Sequence, residues 1–306
     1  MKTLILILLL NAGLFSQELY VKSFGENTNP AIIFLHGGPG YNCANFEATT
    51  ANELSKQGFF VIVYDRRGEG RSTDANAKYN FEESINDIDA IREKYKLDKV
   101  SFIGHSFGGV LAIKYSEVKP KIVNTIFLVG APISLQKTFK NIIKKTKKIY
   151  SDKNDKTNLE YINKLESIDT NSLQYSSYSF MHAMQNGFYV PKNPSDETKI
   201  IYEKFRMNPK LAGLSIEMTY DAPQGFWENE QYTTLDLSSN LMSLVDNKIN
   251  VIGLYGKEDG LYSKSQIDEL KNIIGDENLY YLENCSHSVF IDRQKKFLEV
   301  ISKYLN

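Results

Sequence analysis

The stretch at residues 100–109 has the residue pattern with the clearest chemical meaning in this chain. It reads VSFIGHSFGG: an apolar run is followed by Gly-x-Ser-x-Gly at residues 104–108, and apolar residues at helical spacing come next. Glycines two residues before and after a serine let a strand turn sharply into a helix and leave the hydroxyl exposed. The N–H of Phe107 then lies at a helix N-terminus, where it can stabilise an oxyanion. The pattern predicts Ser106 as a nucleophile.

A serine hydroxyl is a poor nucleophile unless a base, a group that orients the base and oxyanion donors assist it. The chain has four histidines, of which only His182 and His287 follow Ser106. His287 comes directly after a predicted strand, so we predict it as the base and His182 as a packed or polar residue. His36 and His105 lie in glycine-rich turns, and the His105 side chain is expected to leave its turn in another direction.

The orienting acid is predicted at Asp259, in the sequence GKED that follows another apolar run. A carboxylate there can accept the N–H of His287, which fixes the histidine tautomer and stabilises the imidazolium. Glu258 is the alternative, because the turn can present only one of the two neighbouring carboxylates.

A second oxyanion donor is predicted in the sequence HGGPG at residues 36–40, called the oxyanion loop below. We predict the N–H of Gly38, alongside that of Phe107, because glycine lets the backbone approach a substrate closely. The arginine-rich turn at 65–72 is expected mainly to stabilise itself. We expect no metal and no cofactor, since the sequence has no zinc-ligand spacing, phosphate loop or dinucleotide fingerprint.

These turns follow predicted strands of one sheet. Continuous apolar runs with the length of buried parallel strands lie at 31–35, 59–64, 100–104, 122–129, 249–255 and 279–282. A weakly alternating stretch at 18–24 is predicted as an edge strand. Segments with helical spacing lie at 44–57, 81–96, 107–118, 263–274 and 289–305. Since parallel strands end at one edge of a sheet, the turns are expected to converge there.

The alternation of strand and helix stops between residues 134 and 240, where the chain is polar and rich in lysine and aromatic residues. The basic run at 138–148 is predicted as a helix. We therefore predict an α/β fold, a mostly parallel doubly wound sheet formed by 17–133 and 241–306, with an inserted, mainly helical cap at 134–240.

Together these motifs resemble the α/β-hydrolase superfamily, in which nucleophile, acid and histidine follow one another in the order Ser106, Asp259, His287. More narrowly, HGGPG at 36–40 and DRRGEGRST at 65–73 are similar to the proline iminopeptidase family of serine peptidases. The resemblance covers most of the predicted core, whereas the cap resembles that family only in length and position. It implies release of an N-terminal residue, often proline, from short peptides.

The sequence also departs from that family. Its nucleophile turn typically reads GGSWGS, whereas residues 104–109 read GHSFGG; its arginine in GRxD is Lys257 here, and its glycine before the histidine is Ser286. These departures leave the triad intact and weaken the expected preference for proline.

Cap carboxylates of the proline iminopeptidase family hold the free α-amino group of the substrate. No single cap residue of this chain matches such an anchor by motif. We expect substrate contacts among residues that lie in an aromatic-rich part of the cap, and each of the carboxylates is also compatible with a solvated surface position. The candidates are Glu217, Trp227, Glu228 and Glu230.

The first sixteen residues have the pattern of a secretory signal peptide: a basic start, an apolar run at 4–10 and small residues before Ser16. We expect cleavage near Ser16 and a secreted or periplasmic protein; an uncleaved anchor or a buried N-terminal strand is the alternative.

A net charge of −1 gives no reason to expect nucleic-acid binding. No stable membrane association is expected, and the basic run at 140–148 is interpreted as a solvated face of the cap.

Three functions stay open at this point. The first is an aminopeptidase acting on short peptides, which fits the family resemblance. The second is an esterase, amidase or lactonase, which would use the same catalytic residues. The third is a protein of this fold that binds a small ligand without turnover.

Cys43 and Cys285 lie near the oxyanion loop and the predicted base, and they form either a disulfide or two free thiols.

Overall fold

One sheet organises the fold. A computed structural model describes residues 18–305, so the predicted signal peptide lies outside the described residues. Within these residues, seven strands form a sheet in the order β1-β3-β2-β4-β5-β6-β7, with only β1 antiparallel. The strands are β1 (Val21–Phe24), β2 (Ala31–Leu35), β3 (Phe60–Tyr64), β4 (Val100–His105), β5 (Val123–Val129), β6 (Asn250–Gly256) and β7 (Leu279–Leu282).

Helices join the strands and cover both faces of the sheet. Before β5 they are α1 (Ala44–Phe46), a π-helix (Glu47–Ala51), α2 (Asn52–Ser55), α3 (Phe81–Lys94) and α4 (Phe107–Val118). Between β5 and β6 lie α5 (Leu135–Asp152), α6 (Lys156–Leu165), α7 (Leu173–Gln185), α8 (Asp196–Arg206), α9 (Pro209–Leu214), α10 (Asp221–Glu230), a 3₁₀ turn (Tyr232–Thr234) and α11 (Ser238–Asp246). After β6 come α12 (Lys264–Ile274), a 3₁₀ turn (Asp276–Asn278), α13 (Val289–Asp292) and α14 (Gln294–Leu305).

The core lies on both sides of the sheet because successive strand residues point to opposite faces. Ile33 and Leu35 of β2 pack into a cluster with side chains of α3, α4, α11 and α12. Ile32 and Phe34 pack on the other face, against α2, α13 and α14. This two-sided burial explains the continuous apolar runs of the central strands and confirms the predicted fold class.

The register of the strands aligns their carboxyl ends. Leu35 of β2 pairs with Gly104 of β4, and His105 pairs with Val129 of β5. Further along, Gly256 of β6 pairs with Leu282 of β7. The loops that follow these strands therefore emerge at one edge of the sheet, as predicted.

The cap has a small core of its own between α5, α6 and α7. This cluster consists of Leu135, Phe139, Ile143, Tyr150, Ile162, Leu165 and Tyr175. The cap helix predicted at 138–148 is the central part of α5. Among the helices of the described residues, none combines the length and apolar character needed to cross a bilayer.

Two predicted helices are wrong in detail. The helix expected at 44–57 is α1, a π-helix and α2, and it ends at Ser55. The helix expected at 289–305 is divided into α13 and α14, because Arg293 (φ −137°, ψ 50°) leaves the helical conformation. The apolar spacing continues through this break, so the sequence pattern does not reveal it.

Candidate active site

Ser106 lies in the turn between β4 and α4 in a strained backbone conformation (φ 51°, ψ −122°). Such values are unfavourable for a residue with a side chain and are concentrated at functional sites. The neighbouring glycines make the turn possible. A Cβ on Gly108 would lie 2.0 Å from the carbonyl oxygen of Leu35, and one on Gly104 would lie 2.6 Å from the Cα of Gly109. The local geometry is that of a strand-to-helix nucleophile turn.

Asp259 and His287 form a buried hydrogen-bonded pair. His287 Nδ1 lies 2.8 Å from Asp259 Oδ2, and the other carboxylate oxygen accepts the N–H of Leu261 at 3.0 Å. Because a carboxylate only accepts, Nδ1 of His287 carries the proton. Nε2 is buried and has no hydrogen-bond partner among the described residues. This nitrogen is therefore available to exchange a proton with a reacting group.

Of the two neighbouring carboxylates, only Asp259 is bonded to the imidazole. The Glu258 side chain turns outward, where Oε2 accepts the N–H of Lys192 at 2.5 Å. The geometry therefore favours Asp259 over Glu258 as the orienting acid.

Ser106 and His287 lie at the same edge of the sheet, on either side of the end of β5. The N–H of Ser106 donates to the carbonyl oxygen of Val129 at 2.9 Å. At the next residue, a Cβ on Gly130 would lie 3.1 Å from His287 Nδ1. In the part of the chain that the structure describes, no hydrogen bond joins Ser106 Oγ to His287 Nε2. Catalytic hydrogen bonds are often long without substrate and shorten in the substrate complex.

The other three histidines have different environments. His105 is buried against His287, with ring centroids 4.8 Å apart, and burial, aided by the His287 charge, holds its pKa well below its ordinary range. His36 bonds within the oxyanion loop, and burial lowers its pKa too. His182 lies in the cap, where Nδ1 is 2.8 Å from the Tyr150 hydroxyl. Burial lowers the pKa of the His182 imidazole as well, and the contacts of these three histidines within the fold indicate structural roles.

The oxyanion loop lies directly against the serine turn. A Cβ on Gly37 would lie 3.2 Å from the Cβ of Ser106. Gly38 has φ +117°, and a Cβ there would lie 2.8 Å from the N of Gly40. Glycine is therefore required at Gly38 for both conformation and space.

A buried ion pair holds this loop in place. Arg66 donates from its backbone N–H to His36 Nε2 (3.0 Å) and from its guanidinium to the carbonyl oxygens of His36 (2.5 Å) and Gly37 (2.7 Å). Glu69 accepts two bonds from the same guanidinium at 2.9 Å and the N–H of Gly40 at 2.7 Å. The turn predicted mainly to stabilise itself thus also fixes the oxyanion loop. This role was not predicted from the sequence, because it depends on contacts between two separate turns.

Two aromatic rings lie over His287, one from the cap and one from the turn that carries Asp259. The Tyr189 ring of the cap lies edge-to-face on the imidazole, with centroids 5.0 Å apart. The Tyr262 ring of the turn lies 6.5 Å away, with its plane inclined by 30°. The many tyrosines between 161 and 189 were the only sequence signal for such a contact, and they did not single out Tyr189.

Three of the four predicted substrate contacts of the cap lie together on α10, where each has a hydrogen-bond partner outside the catalytic groups. Glu230 accepts the N–H of Phe81 at the start of α3, Glu228 accepts from Gln224, and the Trp227 indole donates to Asn171. No hydrogen bond or ring contact of these residues within the described chain involves Ser106, Asp259 or His287.

Glu217 is the candidate on a segment that touches the oxyanion loop. The N–H of Thr219 donates to the carbonyl oxygen of Gly40 at 2.7 Å, and the side chain of Met218 packs beside the same glycine. The Glu217 side chain itself is exposed.

Both cysteines are buried free thiols, so the structure selects that alternative over a disulfide. Burial raises the pKa of each thiol.

Lys257, which replaces the arginine of the similar family, forms an exposed ion pair with Glu283. Among residues 18–305, no group of histidine, cysteine or acidic side chains is arranged to hold a metal ion.

Comparison with known proteins identifies the fold family of this chain. The family model for the alpha/beta hydrolase fold matches residues 30–294. Among curated relatives, the proline iminopeptidase of Clostridium botulinum is 24% identical over 292 residues, covering 94% of both chains.

Two solved structures share the fold. The proline iminopeptidase-related protein from Thermus thermophilus has a TM-score of 0.68 at 19% identity, covering 94% of this chain and 92% of that chain. An esterase from Exiguobacterium antarcticum has a TM-score of 0.62 at 20% identity, covering 94% and 95%. Since the family model matches most of the chain, the protein belongs to the α/β-hydrolase family and is a hydrolase.

Proposed function

We propose that this hydrolase cleaves acyl bonds through Ser106, His287 and Asp259 by way of an acyl-enzyme. The observation that carries the proposal is the buried Asp259–His287 bond beside a serine held in a strained turn. In this mechanism His287 Nε2 takes the proton of Ser106 as the hydroxyl attacks the substrate carbonyl.

The remaining steps use the same groups. The N–H groups of Phe107 and Gly38 stabilise the oxyanion, and His287 returns the proton to the leaving group. Water, activated by the same histidine, then releases the acyl group. Asp259 keeps the proton on Nδ1 throughout and stabilises the imidazolium.

For the substrate we propose a short peptide with a free N-terminus, from which proline or another small residue is released. Curated relatives that match nearly the whole chain are proline iminopeptidases, which supports this choice. Such a substrate needs a carboxylate near the oxyanion loop for its α-amino group. Glu217 is the first candidate, because the segment that carries it contacts Gly40.

A carboxylic ester is the second candidate substrate. It is favoured by the aromatic rings around His287 and by the exposed position of the Glu217 side chain, because an ester needs no carboxylate to hold an amino group. An esterase also lies among the solved structures of this fold.

A small substrate panel tests the proposal. Proline and alanine 2-naphthylamides, the same compounds with a blocked amino group, and p-nitrophenyl butyrate are compared by kcat/KM. We expect turnover of the free naphthylamides and none of the blocked ones. Turnover of the butyrate ester with none of the naphthylamides would overturn the aminopeptidase proposal and support the esterase.

The role of Glu217 is tested with a matched pair of variants. Glu217→Gln should raise KM for proline naphthylamide about tenfold, because a charge-assisted bond to the ammonium is lost, and should leave butyrate hydrolysis unchanged. Glu160→Gln, an exposed change on α6, serves as the control. Equal KM values in the two variants would remove Glu217 from the site.

We further propose that the protein is exported, on the basis of the signal-peptide pattern of residues 1–16. Expression of the full chain in a bacterial host, followed by fractionation and N-terminal mass spectrometry, tests this. We expect an extracytoplasmic protein that begins near Gln17. Full-length protein in the cytosol would contradict the proposal.

A further inference from the structure

The turn that carries Asp259 is held from the cap side by two residues of α5. Lys145 Nζ donates to the carbonyl oxygens of Gly260 (3.0 Å) and Tyr262 (2.9 Å). Asn141 Nδ2 donates to the carbonyl oxygen of Leu261 at 2.8 Å and reaches that of Gly260 at 3.2 Å. Three consecutive carbonyl groups of the acid turn are thus bonded to two cap side chains.

The position of these two residues on α5 is specific. Residues four apart lie on the same face of a helix, so Asn141 and Lys145 point together toward the acid turn. Lys144 and Lys148, at neighbouring positions on the helix surface, are exposed. Lys145 is half-buried, and burial lowers its pKa although Asp259 opposes this effect. Burying an ammonium group is costly unless its donors are satisfied, and here the carbonyl oxygens satisfy them.

A second cap segment joins the acid turn (residues 259–262) to the histidine loop (residues 283–288) between β7 and α13. The carbonyl oxygen of Phe188 accepts the N–H of Gly260 and the hydroxyl of Ser286, each at 3.0 Å. The Phe188 ring occupies the space that a Cβ on Gly260 would need, with a separation of only 2.1 Å. Ser286 directly precedes His287, so one cap residue contacts both loops of the Asp259–His287 pair.

We propose that the cap of this protein positions its catalytic acid and base, with Asn141, Lys145 and Ser286 as positioning residues. The proposal rests on the proposed function, because it takes Asp259 and His287 as the catalytic pair. Asn141 and Lys145 act on the reaction only through the turn at 259–262.

The physical consequence follows from the contacts. Without Lys145 and Asn141, three carbonyl groups of the acid turn lose their bonding partners, and the turn can shift or exchange between conformations. A misplacement of about 1 Å in a catalytic group can lower the rate about a hundredfold. Substrate affinity depends on other contacts, so the effect should fall on kcat.

Kinetics of matched variants provide the first test. Lys145→Met keeps the aliphatic stem and removes the donors, and Lys144→Met makes the same change one residue away on the exposed face. We expect Lys145→Met to lower kcat about 10- to 100-fold with little change in KM, and Lys144→Met to behave like the wild type. Equal kcat values in both variants would overturn the proposal.

A spectroscopic test covers the case in which Lys145→Met does not fold. NMR follows the Nδ1 proton of His287, which is bonded to Asp259, in the inactive Ser106→Ala protein. Two further proteins carry either Asn141→Ala or Ser286→Gly in addition to Ser106→Ala. We expect faster exchange of this proton with water in both added variants. Unchanged exchange in both would overturn the proposal. This measurement needs no turnover, so it can disprove the positioning proposal without bearing on the proposed function. The proposed function is disproved separately, if Ser106→Ala alone keeps full activity.

Discussion

His287 is the residue on which the proposed chemistry depends, because its two ring nitrogens have different surroundings. Nδ1 is bonded to a buried carboxylate, and Nε2 has no partner among the described residues and lies at the edge of the sheet where Ser106 emerges. Asp259 therefore selects the tautomer whose free nitrogen can accept a proton from the serine. The strained backbone at Ser106 keeps the hydroxyl at this edge.

Asp259→Asn should lower kcat about 10³- to 10⁴-fold, because an amide can donate to Nδ1 and so place the imidazole proton on Nε2. Steady-state kinetics with the best substrate of the panel measure this loss. Glu258→Gln is the matched control, since Glu258 bonds to Lys192 and not to the imidazole. Similar losses in the two variants would contradict the assignment of the acid.

At the scale of the elements, the site depends on loops held by neighbouring loops. The oxyanion loop is fixed by the buried Arg66–Glu69 pair of the next turn, and the acid turn is fixed by α5 of the cap. Each loop follows a strand whose register aligns it with the others. Strands thus bring the loops to one edge, and the polar contacts between loops set their final positions.

Glu69→Gln should destabilise the fold by about 3 kcal/mol, because it leaves the Arg66 guanidinium buried without a full counter-charge. It should also lower kcat, since the oxyanion loop loses part of its support. Denaturant unfolding measures the first effect. Glu53→Gln breaks an exposed pair with Lys56 and should cost less than about 1 kcal/mol. A loss at Glu69 as small as that at Glu53 would show that the buried pair does not support the loop.

The elements that the sequence predicted well are those with a local signal. Apolar runs predicted the central strands to within one or two residues, and Gly-x-Ser-x-Gly predicted the turn at Ser106. Asp259 and His287 were predicted because each follows a strand, and the structure joins them by a hydrogen bond.

Features that depend on tertiary contacts were not predicted. Three contacts of the site join segments far apart in the chain. They are the hydrogen bonds from Arg66 to the oxyanion loop, the packing of the Tyr189 ring on His287, and the hydrogen bonds from Lys145 to the acid turn. The break at Arg293 also escaped prediction, because apolar residues keep their helical spacing across it.

At the scale of the whole molecule, the cap is bonded to the core at several points around the site. Besides the acid turn, Thr198 of α8 donates to the carbonyl oxygen of Asp292 at 2.8 Å. The Asp292 carboxylate in turn accepts the N–H of Ser286 at 2.8 Å. Cap, histidine loop and C-terminal helices therefore form one connected unit.

Asp292 should make global stability depend on pH. Burial raises its pKa from 3.8 to about 7 in the folded protein, so the folded state holds a proton that the unfolded chain releases above about pH 4. This stabilisation is complete below about pH 4 and is lost as the pH rises through 7. Relative to Asp292→Asn, the wild type should lose on the order of 3 kcal/mol of unfolding free energy over this range.

Urea unfolding of both proteins between pH 4 and pH 8 checks this prediction. The side-chain amide of the Asp292→Asn variant keeps an oxygen that can accept the Ser286 N–H. His287, Asp259 and Tyr202, which act on this carboxyl group, are present in both proteins, so the difference reports Asp292 together with its coupling to them. Parallel stability curves for the two proteins would contradict the prediction.

The most direct test of the central claim is a measurement on Ser106. Purified protein is treated with a fluorophosphonate probe, the labelled residue is identified by peptide mass spectrometry, and hydrolysis of the substrate panel is measured for wild type and Ser106→Ala. We predict stoichiometric labelling at Ser106 and a loss of kcat of several orders of magnitude in the variant. Turnover that persists in Ser106→Ala would contradict the assignment of Ser106 as the nucleophile of a serine hydrolase. Absence of labelling at Ser106, with no hydrolysis in the wild type, would also contradict a serine hydrolase and would indicate a ligand-binding protein.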